Sequence, residues 1–362
     1  MLAAARPGDT LTVEAVPSLA GEKFATVAEY EVVRDLPDPT ILPRWLPGRV
    51  VKQASIAVRR ARARRRLLRR GFDIAQMQLL TYESDWLDLP GIRRHVPVVA
   101  TVHDVRPHVS KMPARMESAL HRRLYGPATT DRLVVFHEVL RDELVGEFGI
   151  DPARVTVIPI PIDARDARLQ ECQPVERPFA LLFGRLRANK GVRALLQAVR
   201  TLGRDPGFDI RIVGGGDPAL EAEVRTVAAT YPWVHAEIGW VSADRMSEVY
   251  STASLIVLPY TTFHAQSGVL ATAYRYRLPL VVTDVGAIGP TVRDDATGWV
   301  VPPDDADALA EAIAGAMRSL LAGESKAAAL DAAAIRHDPK SVGPILRAVY
   351  DDVRLARSMP TG

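Results

Sequence analysis

The chain alternates short apolar runs with longer amphipathic stretches. Residues 254–258 form one apolar run that ends at Pro259, and residues 280–283 form another that opens after Pro279. Apolar runs of this length between proline and glycine predict buried strands of a parallel sheet. Between them, residues 267–277 have helical periodicity, and this stretch begins with small residues that suit a helix N-terminus. The pattern predicts strand, loop, helix, strand.

The same alternation continues through two series along the chain. The predicted strands lie at 10–16, 72–80, 96–102, 132–136 and 155–158 in the first series, and at 179–183, 208–213, 234–238, 254–258, 280–283 and 298–301 in the second. The predicted helices lie at 115–125, 138–148, 192–202, 217–230, 243–251, 267–277 and 306–321, with helical segments to about 357. This order predicts an α/β fold of two doubly wound, Rossmann-like domains facing one another across a cleft.

The predicted domain boundaries follow a polar stretch at 164–178, which is interpreted as a linker. Residues 1–172 form the first domain, 173–338 the second, and 339–362 a C-terminal helix that packs back on the first. A doubly wound domain normally opens with a strand and a glycine loop before its first helix. Neither precedes the predicted strand at 10–16, so we expect that the first domain lacks its first strand or that the true start lies upstream.

Composition narrows the class of protein. The 362 residues are 48% hydrophobic and 25% charged, as in soluble globular domains. No apolar run approaches the roughly 20 residues of a membrane-spanning helix, and the N-terminus has no signal-peptide pattern. The one cysteine, Cys172, excludes an internal disulfide framework and a cysteine-cluster metal site. These features predict a cytoplasmic protein.

The formal net charge is +3, but the charges are unevenly distributed along the chain. Residues 49–70 carry many arginines and no acidic residue, most densely from Arg59 to Arg70. A solvated helix face explains this run, as does attraction to an anionic membrane surface or a lipid-linked acceptor. Nucleic acid is not an expected partner, because no aromatic residues interleave the arginines.

Two loops after predicted strands suit a phosphorylated ligand. The helix after residue 267 offers backbone N–H groups to an anion, although a βαβ unit that binds nothing fits this segment equally well. The loop at 184–191 places Arg185 and Lys190 before another helix, where two cations suit a diphosphate. A solvated basic loop is the alternative there.

Other residues that follow predicted strands are weaker candidates for ligand binding. A glycine loop at 214–217 allows close backbone approach to a ligand. His103 suits a hydrogen bond to a substrate hydroxyl or a structural pairing with Asp104, and His264 and Gln266 lie on the loop after residue 259. We find no metal-binding motif and expect no metal.

Three motifs of the second half together resemble a known family. They read FALLFGRLRANKGVRALLQAV, FDIRIVGGGD and VLPYTTFHAQSGVLATAYRYRLPLVVTDVG, followed by a TGWVVPPDD segment. They resemble the donor domain of GT-B fold glycosyltransferases, most closely the retaining family 4, also called group 1. VPVVATVHDVRPH in the first half more loosely resembles the family's acceptor domain.

The resemblance implies roles for individual residues. It makes Arg185 and Lys190 ligands of the donor diphosphate and places His103 at the sugar, so these three are the predicted catalytic residues. The remaining predicted donor-binding residues are Gly184, Gly215, Gly239, Trp240, Val241, His264, Gln266, Ser267, Gly268, Val269 and Thr272. Among them, 239–241 lie where the family contacts the base, and 267–269 would offer N–H groups to the phosphates.

The chain departs from the family at a pair of glutamates spaced E-x7-E. His264 and Thr272 stand at those positions, which puts the family's ribose and sugar contacts in doubt. A subset with a Gln-Ser-Gly-Val-Leu loop resembles this chain, and in it Gln266 compensates for the missing acids.

The resemblance implies a hexosyltransferase of polysaccharide or glycolipid biosynthesis. It would move a hexose, with retention and without a metal or other cofactor, from a UDP or GDP sugar to a glycan or lipid-linked acceptor. The alternative is a non-catalytic GT-B module, either a partner subunit or a nucleotide-sugar sensor.

Overall fold

A computed structural model describes residues 71–78, 80, 85–106, 114–162 and 177–358, the single positions 58 and 69, and the backbone at 10–14 and 29–33. Almost all of the basic run at 49–70 and of the predicted linker at 164–178 therefore lies outside the described residues. The chain divides into two units, Met1–Ile158 with Lys340–Gly362, and Pro159–Pro339. The divisions fall after residues 158 and 339, whereas the sequence placed them after 172 and 338.

The first unit contains two sets of parallel strands. Strands β1 and β2 pair with each other, and β3 to β6 form a four-stranded sheet in the order β3-β4-β5-β6. The strands are β1 Thr10–Glu14, β2 Glu29–Val33, β3 Ala75–Met77, β4 Val98–Thr101, β5 Arg132–Val135 and β6 Val155–Val157. The helices are α1 Asp85–Arg93, α2 Ala114–Tyr125, α3 Glu138–Phe148 and, at the C-terminus, α11 Pro339–Ser358.

The second unit is a six-stranded parallel sheet with helices between its strands. The strands are β7 Phe179–Phe183, β8 Asp209–Val213, β9 Val234–Glu237, β10 Leu255–Leu258, β11 Leu280–Thr283 and β12 Gly298–Val301. The helices are α4 Val192–Leu202, α5 Pro218–Thr230, α6 Ala243–Thr252, α7 Gly268–Arg275, α8 Ile288–Asp294, α9 Ala306–Leu321 and α10 Ala327–Arg336. Strands β10 and β11 are buried at every position, as their uninterrupted apolar sequences predict.

The strand order of this sheet creates a switch point. The order is β12-β11-β10-β7-β8-β9, so the chain builds outward from β7 to β9 on one side and from β10 to β12 on the other. The direction reverses between β7 and β10. In open parallel sheets, ligands bind beyond the carboxyl ends of the strands at such a reversal. The loops after β7 and β10 are the two that the sequence predicted to bind a phosphorylated ligand.

The prediction of two parallel-sheet α/β domains is confirmed. The sequence reasoning did not predict β2, α1 or α8, and it extended α7 by one residue at its start and two at its end. In the described part of the chain, no helix combines the length and the apolar character needed to cross a membrane.

Candidate functional site

Four loops gather at the carboxyl edge of the second unit's sheet, because β10, β7, β8 and β9 are neighbours there. Backbone hydrogen bonds join these loops to one another. The Leu186 N–H donates to the Gly215 carbonyl at 3.1 Å, and the Gly239 N–H donates to that of Gly214 at 3.3 Å. On the other side of β7, the Thr261 N–H donates to the Asn189 carbonyl at 3.1 Å. The four loops form one continuous rim.

Glycine is required where this rim is tightest. Gly191 has a φ of 66°, and a Cβ atom built on it lies well under 3.0 Å from the carbonyl oxygen of Pro259. Gly214 has a φ of 135° and meets the carbonyl oxygen of Gly184 in the same way. A side chain at either position would force two loops apart, so the glycines let the β7 loop contact both of its neighbours.

Lys190 lies against two aromatic rings from the β10 loop. Its Nζ atom is 3.8 Å from the ring centroid of Tyr260 and 4.6 Å from that of Phe263. Burial raises the pKa of the Tyr260 phenol to about 12, against a smaller lowering by its hydrogen bond with Ser267, so the ring is neutral at physiological pH. Cation–π attraction of this kind holds an ammonium in place. The sequence reasoning assigned no role to these aromatic residues, although both follow a strand in the stretch it singled out.

Arg185 lies on the same loop with its side chain exposed. It makes no hydrogen bond or ion pair with any other residue that the structure describes. Gly184, just before it, adjoins helix α7, since a Cβ atom built on Gly184 would lie 3.7 Å from Cγ2 of Val269. The loop that carries both predicted cations therefore borders the first turn of α7.

Helix α7 begins with a side-chain cap. Ser267 is its N-cap, and the Ser267 hydroxyl accepts a hydrogen bond from the Leu270 N–H at 3.4 Å. The N–H groups of Gly268 and Val269 belong to the first turn, where no intrahelical acceptor exists. Gly268 is exposed and Val269 is half-buried. Bare N–H groups beside two cations suit an anion with several oxygens.

Hydrogen bonds within the protein hold the Gln266 side chain. The sequence predicted that this side chain compensates for the missing glutamates, and that role stays a prediction. The residue is buried, and its amide nitrogen donates to Thr291 Oγ1 on α8 at 2.7 Å. Its amide oxygen accepts from the Ser267 N–H at 3.1 Å. Both ends of the amide are used within the protein, so Gln266 supports the loop.

The two positions of the family's glutamates are half-buried. His264 lies on the β10 loop, and Thr272 lies on α7. The Thr272 hydroxyl donates back to the Gly268 carbonyl at 2.9 Å, four residues earlier in the same helix. Neither position carries an acid that accepts hydrogen bonds from a ribose or a sugar as the family's glutamates do.

The β9 loop completes the rim. Gly239 has a φ of 141°, and a Cβ atom built on Gly215 would lie 3.1 Å from the Gly239 Cα atom. Trp240 is 89% exposed, and Val241 is half-buried. These residues follow β9, which lies three strands away from β10 along the sheet, at the far end of the rim.

His103 belongs to the first unit and lies just after β4. Its ring makes an edge contact with Phe136, with centroids 5.1 Å apart. Desolvation lowers the pKa of the imidazole, while the charge of Asp104 opposes that shift. The lowered pKa favours the neutral ring, which can donate and accept hydrogen bonds.

Metal ligands do not cluster in the described residues, where no group of three or more His, Cys, Asp or Glu side chains is placed to hold an ion. Metal independence stays a prediction.

This geometry defines a class of protein, a doubly wound α/β unit with a candidate anion site at its switch point. Comparison with known proteins identifies the family. Residues 177–319 match the family model described as glycosyl transferases group 1, and residues 12–166 match that of glycosyltransferase family 4. The chain belongs to the group 1, or family 4, glycosyltransferases. Its predicted membership of the Gln-Ser-Gly-Val-Leu subset stays a prediction.

Individual relatives agree with this family. A D-inositol 3-phosphate glycosyltransferase of Rhodococcus opacus is 29% identical over 232 residues, which cover 58% of this chain and 50% of the relative. A sucrose-phosphate synthase structure from Thermosynechococcus elongatus has a TM-score of 0.69 at 19% identity, covering 90% of this chain and 84% of the other. The Anabaena protein HepE, solved in complex with UDP, has a TM-score of 0.66 at 15% identity, with coverages of 90% and 86%. The chain spans about half the length of the first curated relatives it matches.

Proposed function

We propose that this protein transfers a hexose from a nucleotide-diphosphate sugar to a glycan or lipid-linked acceptor, with retention at the anomeric carbon and without a metal. One observation carries the proposal, namely that Arg185, Lys190 and the first turn of α7 lie on adjoining loops at the switch point. The sugar donor's leaving group is a diphosphate, and these loops offer two cationic side chains and the N–H groups of a helix N-terminus.

The roles follow from how charge moves in the reaction. The bond between the anomeric carbon and the phosphate oxygen breaks, and its electron pair leaves with the diphosphate. Arg185, Lys190 and the N–H groups of Gly268 and Val269 stabilise that added negative charge as it develops. Because the aromatic rings fix Lys190 in advance, little reorganisation is needed when the charge appears.

The remaining steps need no nucleophilic side chain. The acceptor oxygen forms a bond to the anomeric carbon from the face that the diphosphate leaves. Its proton passes to the leaving phosphate oxygen, so atoms and charge balance without a covalent intermediate. This front-face route fits a site whose assigned side chains are cations and whose glutamate positions hold His264 and Thr272.

The test compares three arginine and lysine variants from one loop. Labelled UDP and GDP sugars are incubated with the protein and a membrane and glycan extract, and both transfer and hydrolysis are measured. Arg185→Ala and Lys190→Ala should each lower transfer by about 10²-fold or more, the usual effect of removing one group that stabilises a developing anion. Arg187→Ala is the matched control, since Arg187 is exposed on the same loop and has no assigned role.

The outcome that contradicts the assignment is wild-type turnover in both Arg185→Ala and Lys190→Ala. Equal losses in all three variants would instead indicate a general effect of loop charge.

A second candidate is a non-catalytic module that binds nucleotide sugars. The replacement of both family glutamates, by His264 and Thr272, favours it. Tight binding of a UDP or GDP sugar with neither transfer nor hydrolysis would support this candidate over the enzyme.

A further inference from the structure

A buried histidine joins the two segments by which the chain enters and leaves the second unit. The unit begins at Pro159 and ends at Pro339. His337 is 3% exposed, and its Nδ1 atom lies 2.9 Å from the Ile160 carbonyl oxygen. In return, the Ile162 N–H donates to the His337 carbonyl at 2.9 Å. The entry and exit segments are therefore bonded to each other through one residue.

The other side of the same ring faces a buried carboxylate. His337 Nε2 lies 3.0 Å from Oδ2 of Asp295, which is also buried. A carbonyl only accepts hydrogen bonds, and an ionised carboxylate only accepts as well. Each ring nitrogen therefore faces an acceptor oxygen, and the ring bridges Ile160 to Asp295.

The groups around Asp295 support its ionised form. Tyr274 donates to Oδ2 at 2.9 Å, and the Arg336 guanidinium donates to Oδ1. Burial by itself raises the pKa of Asp295, but hydrogen bonding and charge from His337, Tyr274 and Arg336 outweigh burial, and the net shift is downward. Among the described residues, these three side chains are the titratable or charged groups that the structure records against Asp295.

Two routes lead from Asp295 to helix α7. The first is direct, because Tyr274 belongs to the last turn of α7. The second runs through α8, whose C-cap is Asp295 and whose Thr291 accepts the hydrogen bond from Gln266. Gln266 in turn accepts from the Ser267 N–H at the start of α7. Asp295, the partner of His337, is therefore connected to the end of α7 through Tyr274 and to its start through α8 and Gln266.

We propose that His337 and Asp295 form a positioning pair that couples the entry and exit segments of the unit to the first turn of α7. The pair does not touch the ligand. It fixes α8, and through α8 and Tyr274 it fixes the N–H groups that bind phosphate. This inference rests on the proposed diphosphate site. Coupling is reciprocal, so ligand binding at α7 also orders the two segments.

The first test uses the unmodified protein and hydrogen exchange. UDP and GDP are added in turn, and amide exchange is followed in peptides that cover 155–162 and 333–339. The nucleotide that binds should slow exchange of the Ile162 N–H, which donates to the His337 carbonyl. Binding with no change in exchange at either segment would overturn the proposal. Failure of both nucleotides to bind would instead contradict the proposed function.

The second test uses variants that each keep half of the histidine's hydrogen bonds. The amide nitrogen of His337→Asn can replace Nδ1, and that of His337→Gln can replace Nε2, but neither variant can bridge Ile160 to Asp295 as the ring does. Each should retain the fold by circular dichroism, weaken UDP or GDP binding by about five-fold or more, and lose the ligand-induced protection at Ile162.

His235→Gln is the matched control. His235 Nε2 pairs with Asp209 Oδ2 at 3.1 Å near the opposite edge of the same sheet. It should lower stability without changing nucleotide affinity. If the His337 variants behave like His235→Gln, with lower stability and unchanged affinity and protection, His337 has a structural role only and the proposal is wrong.

Discussion

Replacing Gly191 with alanine tests whether the close approach of the β7 and β10 loops shapes the candidate site. The residue has a φ of 66°, and the added Cβ atom would lie well under 3.0 Å from the Pro259 carbonyl. That oxygen belongs to the backbone, so the clash is not relieved by a side-chain rotation. The loop that carries Lys190 would have to move away from Tyr260.

A control variant separates the loss of stability caused by the clash from the loss caused by the backbone conformation. A left-handed conformation costs a non-glycine residue about 1–2 kcal/mol, and restricting the unfolded chain offsets about 0.4–1 kcal/mol of that. Forcing a carbon into a packed site adds about 1–3 kcal/mol. Gly149 has nearly the same backbone conformation as Gly191, with φ 64° and ψ 34° against 66° and 25°, and nothing lies within 4 Å of its added Cβ, so Gly149→Ala carries only the backbone cost. Gly191→Ala should therefore be less stable than Gly149→Ala by about 1–3 kcal/mol.

The assay is thermal unfolding of both variants, followed by calorimetric titration with UDP and GDP. For a unit of this size the difference corresponds to about 2–12 °C in melting temperature. Gly191→Ala should also bind the nucleotide more weakly, whereas Gly149→Ala should bind it as the wild type does. Equal melting temperatures would refute the close approach. A lower melting temperature with unchanged affinity would show that the approach does not shape the site.

Three further predictions concern α7 and its supports. Ser267→Ala should lower the free energy of unfolding by about 1 kcal/mol, because the N-cap is lost, and should also weaken nucleotide binding. The control Asp305→Ala, at the N-cap of α9, should lower stability only. Urea unfolding and calorimetric titration would measure the two effects. Tyr274→Phe should lower the free energy of unfolding by about 1–3 kcal/mol, because the hydroxyl forms hydrogen bonds with Asp295 at 2.9 Å and Thr297 at 3.0 Å. An unchanged urea midpoint would contradict this. Asp295 has a lowered pKa, so its stabilisation is present above the unfolded pKa of about 4 and is lost as pH falls through the folded value. Asp295→Asn should therefore be less stable at pH 7 and lose less stability between pH 7 and 3, and parallel melting curves for the two proteins would count against this.

Local patterns were enough to predict most of the second unit. The apolar runs gave β7, β10 and β11 directly, because strands buried on both faces need uninterrupted apolar sequence. The small polar residue before α7 gave its N-cap, since a helix start is encoded within three or four residues. Arg185 and Lys190 were selected for the same reason, as charged residues between a strand and a helix.

Two helices were not predicted because they contain proline or glycine. Helix α1 contains Pro90, and α8 begins with Gly289 and Pro290 in its first turn. Both residue types lower helix propensity, so a pattern search passes over these segments. Packing overrides propensity in α8, where Ile288, Gly289, Thr291 and Val292 are buried.

Partners distant in the sequence could not be predicted. Gln266 lies on the β10 loop, and its hydrogen-bond partner Thr291 is 25 positions away in the sequence. His337 and Asp295 are 42 positions apart and belong to no motif. Such pairs become visible only when the fold brings α8 and the end of α10 together. The sequence therefore predicted the positions of strands, helices and loops better than it predicted the side-chain contacts that join them.

The carboxyl edge of the second unit is the proposed binding site for a diphosphate. The most direct measurement is calorimetric titration of the whole chain with UDP and GDP beside uridine and guanosine. Hydrogen bonds to charged groups contribute about 1.5–3 kcal/mol each, and 1.4 kcal/mol corresponds to a factor of ten in affinity. One of the two nucleotides should therefore bind at least about ten-fold more tightly than its nucleoside, with the difference reduced in Arg185→Ala and Lys190→Ala. Equal affinity for nucleotide and nucleoside, or no binding of either nucleotide, would contradict the account.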